Sequence, residues 1–162
     1  MDMHTSSPRH PWFGLVVALV VCFVVAALGG WATSTSVGSW YATLNKPSFN
    51  PPNWIFSPVW TLLYAMMGVA AWRIWRQDGR LLSLPLVVFA VQLLLNLAWS
   101  FLFFGRRDPQ AALIDILLLV VAIAATLRLF LRRDRLAGWL MVPYLAWVGF
   151  ATILNLAIVR LN

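Results

Sequence analysis

Residues 82–104 read LSLPLVVFAVQLLLNLAWSFLFF, a stretch without a charged residue. About 20 predominantly apolar residues span the hydrocarbon core of a bilayer as a helix, so this stretch predicts a transmembrane helix. Its polar residues Gln92, Asn96 and Ser100 follow at steps of i+4 and therefore lie on one helix face. Because an unpaired polar group in hydrocarbon costs several kcal/mol, we expect this face to meet a partner or a cavity.

Apolar stretches of similar length recur along the whole chain. Its 162 residues are 62% hydrophobic and 10% charged, against roughly 45–50% and about 25% in soluble domains, which excludes an ordinary soluble domain. The predicted helices cover residues 11–32, 54–75, 82–104, 109–130 and 136–159. Short connections between them force antiparallel neighbours. The predicted fold class is therefore an all-α, integral membrane bundle of five transmembrane helices, with a tail at 1–10, one domain at 11–162 and one long loop at 33–53.

The basic residues predict the orientation in the membrane. Eight lie on the side of the N-terminus: Arg9, Arg73, Arg76, Arg80, Arg128, Arg132, Arg133 and Arg135. Four lie on the other side: Lys46, Arg106, Arg107 and Arg160. The positive-inside rule then places the N-terminus in the cytoplasm, with a bacterial inner membrane as the expected location. An outer membrane, where the rule does not hold, is the alternative. The net charge of +7 is thus assigned to orientation, and no nucleic-acid partner is expected.

Few residues offer metal or enzyme chemistry. The single cysteine, Cys22, excludes an internal disulfide framework and a Cys-rich metal site. His4 and His10 lie in the N-terminal tail without a neighbouring ligand cluster, so no metal site is predicted. The chain has no nucleophile-base pair and no Gly-rich phosphate loop, which argues against a hydrolase or a nucleotide enzyme. We therefore expect no required cofactor.

Ten tryptophans need an explanation, and their depth divides them into classes. Six fall near predicted helix ends, as in an interfacial belt: Trp12, Trp31, Trp54, Trp72, Trp75 and Trp139. Trp40 lies in the long loop. The remaining three, Trp60, Trp99 and Trp147, fall in the outer half of the bilayer by a rise of about 1.5 Å per residue.

Side chains on three helices predict one pocket at that depth. On the second helix Trp60 and Tyr64 share a face, and on the third Asn96, Trp99 and Phe103 lie close along the helix. On the fifth, one face carries Tyr144, Trp147, Ala151 and Asn155. If these faces point inward, they line a site for a flat, largely apolar ligand with a few polar edges.

Two further features leave alternatives open. Asp115 is the only carboxylate inside a predicted span; pairing with Asn96, Gln92 or Arg106 is slightly favoured over a direct ligand or proton role. The first helix repeats small residues at every fourth position: Gly14, Ala18, Cys22, Ala26 and Gly30. Close packing inside the chain is favoured over a dimer contact.

Motifs in four segments resemble the tryptophan-rich sensory protein and translocator protein family, TspO/MBR. Residues 40–54 read WYATLNKPSFNPPNW and residues 57–64 read SPVWTLLY. Residues 96–100 read NLAWS and residues 142–147 read VPYLAW, with Asp115 between them. The resemblance covers nearly the whole chain beyond the N-terminal tail.

The resemblance implies a five-helix bundle, commonly a homodimer, that binds tetrapyrroles such as protoporphyrin IX and haem, and also isoquinoline-carboxamide and benzodiazepine drugs. It implies that the loop lid is shaped by Tyr41, Pro47, Pro51 and Pro52. It implies that the pocket is lined by Trp60, Tyr64, Asn96, Trp99, Trp147 and Ala151. Sterol binding is disfavoured because Leu156 stands where the sterol motif has tyrosine. Phe103 replaces a residue that is polar in some relatives.

Two function classes follow from these expectations. The first is a membrane receptor that binds porphyrins and contributes to their transport or regulation. The alternative is an enzyme that degrades protoporphyrin IX with light and oxygen, because the tryptophans implicated in some bacterial relatives match Trp60 and Trp147. Porphyrin is then the ligand in the first case and the substrate in the second.

Overall fold

The computed structural model describes residues 11–162, and that part of the chain is helical without a strand. The predicted tail at 1–10, with His4 and His10, lies outside the described residues. The helices are α1 (Pro11–Ser34), α2 (Trp40–Thr43), α3 (Asn53–Asp78), α4 (Leu84–Ser100), α5 (Pro109–Arg133) and α6 (Arg135–Leu161). All but α2 are long and apolar enough to cross a membrane. The prediction of an all-α bundle of five membrane helices is confirmed.

Capping residues, rather than hydrophobicity, set several helix ends. Helix α3 runs three residues beyond the predicted range and stops at Gly79, whose φ of 63° is the left-handed conformation that glycine adopts without strain. Helix α5 begins at Pro109 because the Asp108 side chain accepts the Ala111 N–H at 3.0 Å. The long loop contains the short helix α2, which the sequence did not predict.

The five long helices close into a ring in which α1 packs on α3, α3 on α6, α6 on α5, α5 on α4 and α4 on α1. Helices α1 and α3 approach closely at glycines. A Cβ atom on Gly14 would collide with the Trp75 ring, and one on Gly68 would lie 2.8 Å from the Leu19 side chain. Cys22 is buried in the same core. Gly14 and Cys22 of the small-residue repeat therefore pack inside the chain, whereas Gly30 is exposed and a Cβ atom there would meet nothing within 4 Å.

Helix α4 continues as a π-helical turn over Phe101–Gly105. The Arg106 N–H donates to a carbonyl five residues earlier at 2.7 Å. Phe103 and Phe104, which follow each other in this turn, are both buried, and their rings lie 6.1 and 5.5 Å from the Tyr41 ring. Such turns occur frequently at functional sites. This one brings two adjacent aromatic rings under the loop.

The tryptophan belt is smaller than predicted. Four of its predicted members are more than 60% exposed: Trp12, Trp31, Trp54 and Trp139. Trp72 is buried, so its assignment to the belt is wrong. Its indole N–H donates to the Pro11 carbonyl at 2.7 Å, and its ring stacks on Trp12 with centroids 6.0 Å apart. Trp72 thus holds the start of α1 against α3.

Asp134 forms the turn between α5 and α6. Its carboxylate accepts the backbone N–H groups of Leu136 at 2.9 Å and Ala137 at 3.3 Å, and Arg73 Nε donates to it at 2.7 Å. Burial acts to raise the pKa of this carboxyl, but the hydrogen bonds and the guanidinium charge outweigh burial and lower the pKa below its usual value. The carboxylate form therefore stabilises the native state.

This contribution predicts a loss of stability in acid. It is present above the unfolded pKa of about 3.9 and is lost as the pH falls through the lower folded pKa. We expect the unfolding temperature of the detergent-solubilised protein to drop below about pH 4. Asp134→Asn keeps a side-chain oxygen that can accept the N–H groups of α6. Its free energy of unfolding should nevertheless be about 1–2 kcal/mol lower at pH 7, and the loss of stability caused by protonation of Asp134 should be absent. A profile identical to the wild type would show that the carboxylate contributes nothing.

Candidate functional site

A cavity of about 520 Å³ opens where the loop between α1 and α3 covers one end of the bundle. Helices α1, α3, α4 and α6 form its walls, and the loop residues Val37 and Tyr41 contribute to the lining. Small-molecule pockets typically measure about 300–1,000 Å³. The aromatic lining residues are Phe23, Tyr41, Phe56, Trp60, Tyr64, Trp99, Phe103, Phe104 and Trp147. The cavity therefore has the size of a ligand site and a mainly apolar wall with nine aromatic side chains.

Nine of the predicted ligand-binding residues line this cavity: Tyr41, Trp60, Tyr64, Asn96, Trp99, Phe103, Trp147, Ala151 and Asn155. The other five, Pro47, Pro51, Pro52, Asp115 and Tyr144, are not in its lining. The prolines belong to the extended segment between α2 and α3, and Pro52 accepts the Ile55 N–H at the start of α3. The structure thus brings together Tyr41 of the loop with most of the predicted residues on the helices, and leaves out the loop prolines, Asp115 and Tyr144.

A chain of hydrogen bonds connects two residues of the cavity wall to buried residues beside it. The Tyr64 hydroxyl donates to Asn96 Oδ1 at 2.5 Å, and Asn96 Nδ2 donates to the Tyr144 hydroxyl at 2.8 Å. The Tyr144 hydroxyl in turn donates to Gln92 Oε1 at 2.8 Å, and Gln92 Nε2 lies 3.7 Å from Met67 Sδ. All five side chains are buried. Tyr144 is therefore a positioning residue that fixes Asn96 at the cavity wall.

A second amide fixes the Trp99 ring. Trp99 Nε1 donates to Asn155 Oδ1 at 3.0 Å, and Asn155 Nδ2 donates to the Pro109 carbonyl at 2.9 Å. The Trp99 ring also stacks on Phe103, with centroids 5.1 Å apart and an interplanar angle of 24°. These contacts join α4 to α6 and to the start of α5. Trp99 consequently presents a rigid aromatic face whose N–H group is already used.

Trp60 and Trp147 differ from Trp99 in this respect. Within residues 11–162 only the indole N–H groups of Trp72 and Trp99 have an acceptor. Those of Trp60 and Trp147 are therefore available to hydrogen-bond a ligand or water. No residue of the described lining carries a charge. The wall thus combines aromatic surface with uncharged donors and acceptors.

Asp115 does not follow its prediction. It is buried on α5 and is not part of the cavity lining, and it makes no hydrogen bond to Asn96, Gln92 or Arg106. The predicted pairing is wrong because the amide N–H groups are directed elsewhere, Asn96 Nδ2 to the Tyr144 hydroxyl and Gln92 Nε2 to Met67 Sδ, and because Arg106 forms no ion pair within residues 11–162. Within residues 11–162, its Oδ2 atom has no hydrogen-bond partner. Sequence spacing alone could not show in which direction the amide N–H groups would point.

A lysine and a tyrosine shape the loop over the cavity. Lys46 Nζ donates to the carbonyls of Tyr41 at 2.8 Å and Leu44 at 3.1 Å, and it lies 4.9 Å from the Tyr41 ring centroid. The Tyr41 hydroxyl donates to Asn50 Oδ1 at 3.1 Å. Burial raises the pKa of Tyr41 although the Asn50 hydrogen bond opposes it. Its hydroxyl therefore stays a neutral donor at physiological pH.

The loop is also joined to the end of α6. The Asn45 N–H donates to Asn162 Oδ1 at 2.9 Å, and Asn162 Nδ2 donates back to the Asn45 carbonyl at 2.9 Å. Asn45 Nδ2 adds a bond to the Leu161 carbonyl at 3.3 Å. This reciprocal pairing holds the lid against the bundle.

Sequence reasoning missed the contribution of α1 to the site. The α1 residues in the lining are Phe23, Ala26, Gly29, Gly30, Thr33 and Ser34. A Cβ atom on Gly29 would lie 3.1 Å from Ser100 Oγ, whereas one on Gly30 would meet nothing within 4 Å. The small-residue repeat on α1 was the available signal, because Ala26 and Gly30 belong to it and small side chains leave space beside a helix. Among residues 11–162, no group of three His, Cys, Asp or Glu side chains could hold a metal ion.

Comparison with known proteins establishes the family. The model of the TspO/MBR family matches residues 18–161. The chain belongs to the TspO/MBR family. The resemblance inferred from its motifs is thereby confirmed.

Relatives of this TspO/MBR protein occur in bacteria and animals. It is 43% identical over 152 residues to the tryptophan-rich protein TspO of Chlorobaculum tepidum, covering 91% of this chain and 95% of that protein. It is 40% identical over 148 residues to the tryptophan-rich sensory protein of Cereibacter sphaeroides, covering 90% and 92%. It is 43% identical over 126 residues to the translocator protein of Homo sapiens, covering 76% and 75%. Together with the five apolar helices, TspO/MBR membership identifies a multi-pass membrane protein and supports a receptor or sensory role.

Proposed function

We propose that this protein is a membrane receptor that binds tetrapyrroles, such as protoporphyrin IX and haem, in the cavity beneath the loop. The observation that carries the proposal is the cavity itself, whose 520 Å³ have a mainly apolar wall that includes nine aromatic side chains. Stacking and apolar burial suit a large, flat macrocycle. Drug-like aromatic ligands would enter the same site for the same reason. Binding would serve the transport or the regulation of porphyrins.

The uncharged lining predicts how a porphyrin would be oriented. Charged carboxylates are costly to bury without a charged or hydrogen-bonding partner. The exposed lining residues Ser34, Asn53 and Ser57 supply polar groups at the rim. The macrocycle would therefore enter ring first and leave its two propionates at the rim. The described lining has no His, Cys or Met side chain for iron, and the hydroxyls of its two tyrosines, Tyr41 and Tyr64, bond to Asn50 and Asn96, so haem would also be held by its ring.

A fluorescence titration tests the proposal. We expect protoporphyrin IX to quench the tryptophan fluorescence of the purified protein saturably, with a dissociation constant in the micromolar range or tighter. Because the propionates remain in water, the dimethyl ester should bind within about fivefold of the diacid. N-acetyltryptophanamide in the same detergent controls for optical absorption. If the quenching increases linearly with the porphyrin concentration, as in this control, the proposed receptor function is rejected.

A second candidate function is the light- and oxygen-dependent degradation of protoporphyrin IX. The observation in its favour is that Trp60 and Trp147 both line the cavity and both have N–H groups without an acceptor in residues 11–162. Bound porphyrin would absorb the light and be oxidised by molecular oxygen, whose atoms add to the macrocycle as its ring opens. The nearby indoles would pass an electron to the excited porphyrin and recover it, so that they end unchanged. Porphyrin would then be a substrate.

Illumination separates the two candidates. Aerobic illumination of the complex should bleach the porphyrin absorbance and form a new product if the protein is an enzyme. Trp60→Phe and Trp147→Phe should then slow bleaching to the rate of free porphyrin. Trp54→Phe and Trp139→Phe, which change exposed rings on the same two helices, should not. If all four variants bleach the porphyrin at the same rate, the protein binds porphyrin without degrading it.

A further inference from the structure

A second concave surface lies outside the bundle, between the end of α1 and the π-helical turn after α4. It encloses about 490 Å³. Its lining residues are Trp31, Ala32, Thr35, Ser36, Phe101, Gly105, Arg106 and Arg107. We call this surface the arginine groove. It shares no lining residue with the aromatic cavity.

The arginine groove has an apolar part and a cationic part. Trp31 is 63% exposed, and its ring lies 6.1 Å from the exposed ring of Phe101. Both belong to membrane-spanning segments, at the ends nearest the loops. Arg106 and Arg107 follow at once in the connection to α5, where the chain leaves the hydrocarbon region. Apolar surface and positive charge therefore meet at the membrane boundary.

Neither arginine is neutralised within the described part of the chain. No carboxylate there lies within 4 Å of either guanidinium group, since the ion pairs in residues 11–162 involve Arg73 and Arg133. The nearby acid, Asp108, is used to cap α5. Arg107 donates from Nε to Ser36 Oγ at 3.4 Å, which leaves its terminal nitrogens without a partner in the described residues. The groove thus offers donors that suit a phosphate group.

The Arg107 backbone also favours a functional role. Its φ of 57° is in the left-handed region, and it is the one non-glycine residue with positive φ in residues 11–162. Strained conformations of this kind concentrate at functional sites. Glycine would adopt the conformation without strain, yet an arginine occupies the position.

We propose that the arginine groove binds an anionic phospholipid. The phosphate would lie between Arg106 and Arg107, and an acyl chain would run along Trp31 and Phe101. Charge complementarity selects an anionic headgroup, and the adjoining aromatic surface at the membrane boundary selects a lipid over a soluble phosphate. This inference is independent of the tetrapyrrole proposal because the two sites share no side chain.

Lipid titration followed by native mass spectrometry tests this proposal. The detergent-solubilised protein is titrated with phosphatidylglycerol and, separately, with phosphatidylcholine of the same acyl chains. We expect a clear preference for phosphatidylglycerol, which Arg106→Gln and Arg107→Gly should each reduce about fivefold. Arg107→Gly removes the charge and relieves the backbone strain, so it should fold at least as well as the wild type. Trp31→Ala should weaken the binding of both lipids.

The matched control is Arg132→Gln with Arg135→Gln, which removes two exposed charges at the opposite end of the bundle. It should leave the preference unchanged. The proposal is overturned if Arg106→Gln and Arg107→Gly retain the full preference, or if the control loses it equally. Complete displacement of the lipid by glycerol 3-phosphate would also overturn it, because the groove would then be a site for a soluble phosphate.

Discussion

Tyr144→Phe is expected to destabilise the protein more than the same substitution at either other tyrosine. The Tyr144 hydroxyl is the centre of the buried hydrogen-bond chain, where it accepts from Asn96 and donates to Gln92. Its removal leaves two buried polar atoms, Asn96 Nδ2 and Gln92 Oε1, without a partner. An orphaned buried group costs about 1–3 kcal/mol, whereas single hydrogen bonds in membrane proteins average about 0.6 kcal/mol. We therefore expect a loss of about 2 kcal/mol.

The chain contains three tyrosines, which supply matched controls for this substitution. Tyr64 lies at one end of the hydrogen-bond chain and makes one buried bond, so Tyr64→Phe should cost less, about 1 kcal/mol. Tyr41 bonds Asn50 in the loop, and Tyr41→Phe should have the smallest effect. Unfolding in mixed micelles of increasing denaturing detergent measures all three. If Tyr144→Phe costs no more than Tyr41→Phe, the hydrogen-bond chain does not support the core.

Trp147→Ala is expected to weaken protoporphyrin IX binding by about 30-fold or more, because aromatic anchors of a binding site each contribute about 2 kcal/mol or more. Its ring lines the cavity and packs edge-on against Phe56 at 5.9 Å. Trp60→Ala should have an effect of similar size, because Trp60 lines the same cavity and contacts the rings of Tyr64 and Tyr144.

Exposed tryptophans on the same helices provide the controls. Trp139 shares α6 with Trp147 and is 61% exposed, and Trp54 shares α3 with Trp60 and is 73% exposed. Neither lines the cavity. Trp139→Ala and Trp54→Ala should therefore leave the dissociation constant unchanged. Displacement of a bound fluorescent porphyrin analogue gives the four values without relying on tryptophan fluorescence. Equal losses in the two classes of variants would place the porphyrin outside the cavity.

The membrane bundle could be predicted because its main determinant is local. A run such as residues 82–104 must be helical in lipid, since no water can satisfy its backbone groups. The pocket faces on α3, α4 and α6 were also predictable, because i+4 spacing places Trp60 beside Tyr64 and Ala151 beside Asn155. Nine residues selected in this way or by resemblance do line one cavity.

The remaining features depend on contacts between helices, which spacing does not reveal. Trp72 lies near a helix end, where tryptophans of the interfacial belt are expected. It is nevertheless buried, because its N–H group bonds to the Pro11 carbonyl and its ring stacks on Trp12. Asp115 lacks its expected partners because the N–H groups of Asn96 and Gln92 are directed to Tyr144 and Met67 and do not reach its carboxylate. The π-helical turn at Phe101–Gly105 has no periodic signal, since its extra residue interrupts the period of α4.

A structure of the protein with protoporphyrin IX bound tests the central claim most directly. The claim is that the aromatic cavity beneath the loop holds the macrocycle. It predicts density for the macrocycle in contact with Trp60 and Trp147, with the propionates at the rim near Ser34 and Asn53. A porphyrin bound on the lipid-facing exterior, with the cavity free of it, would contradict the claim.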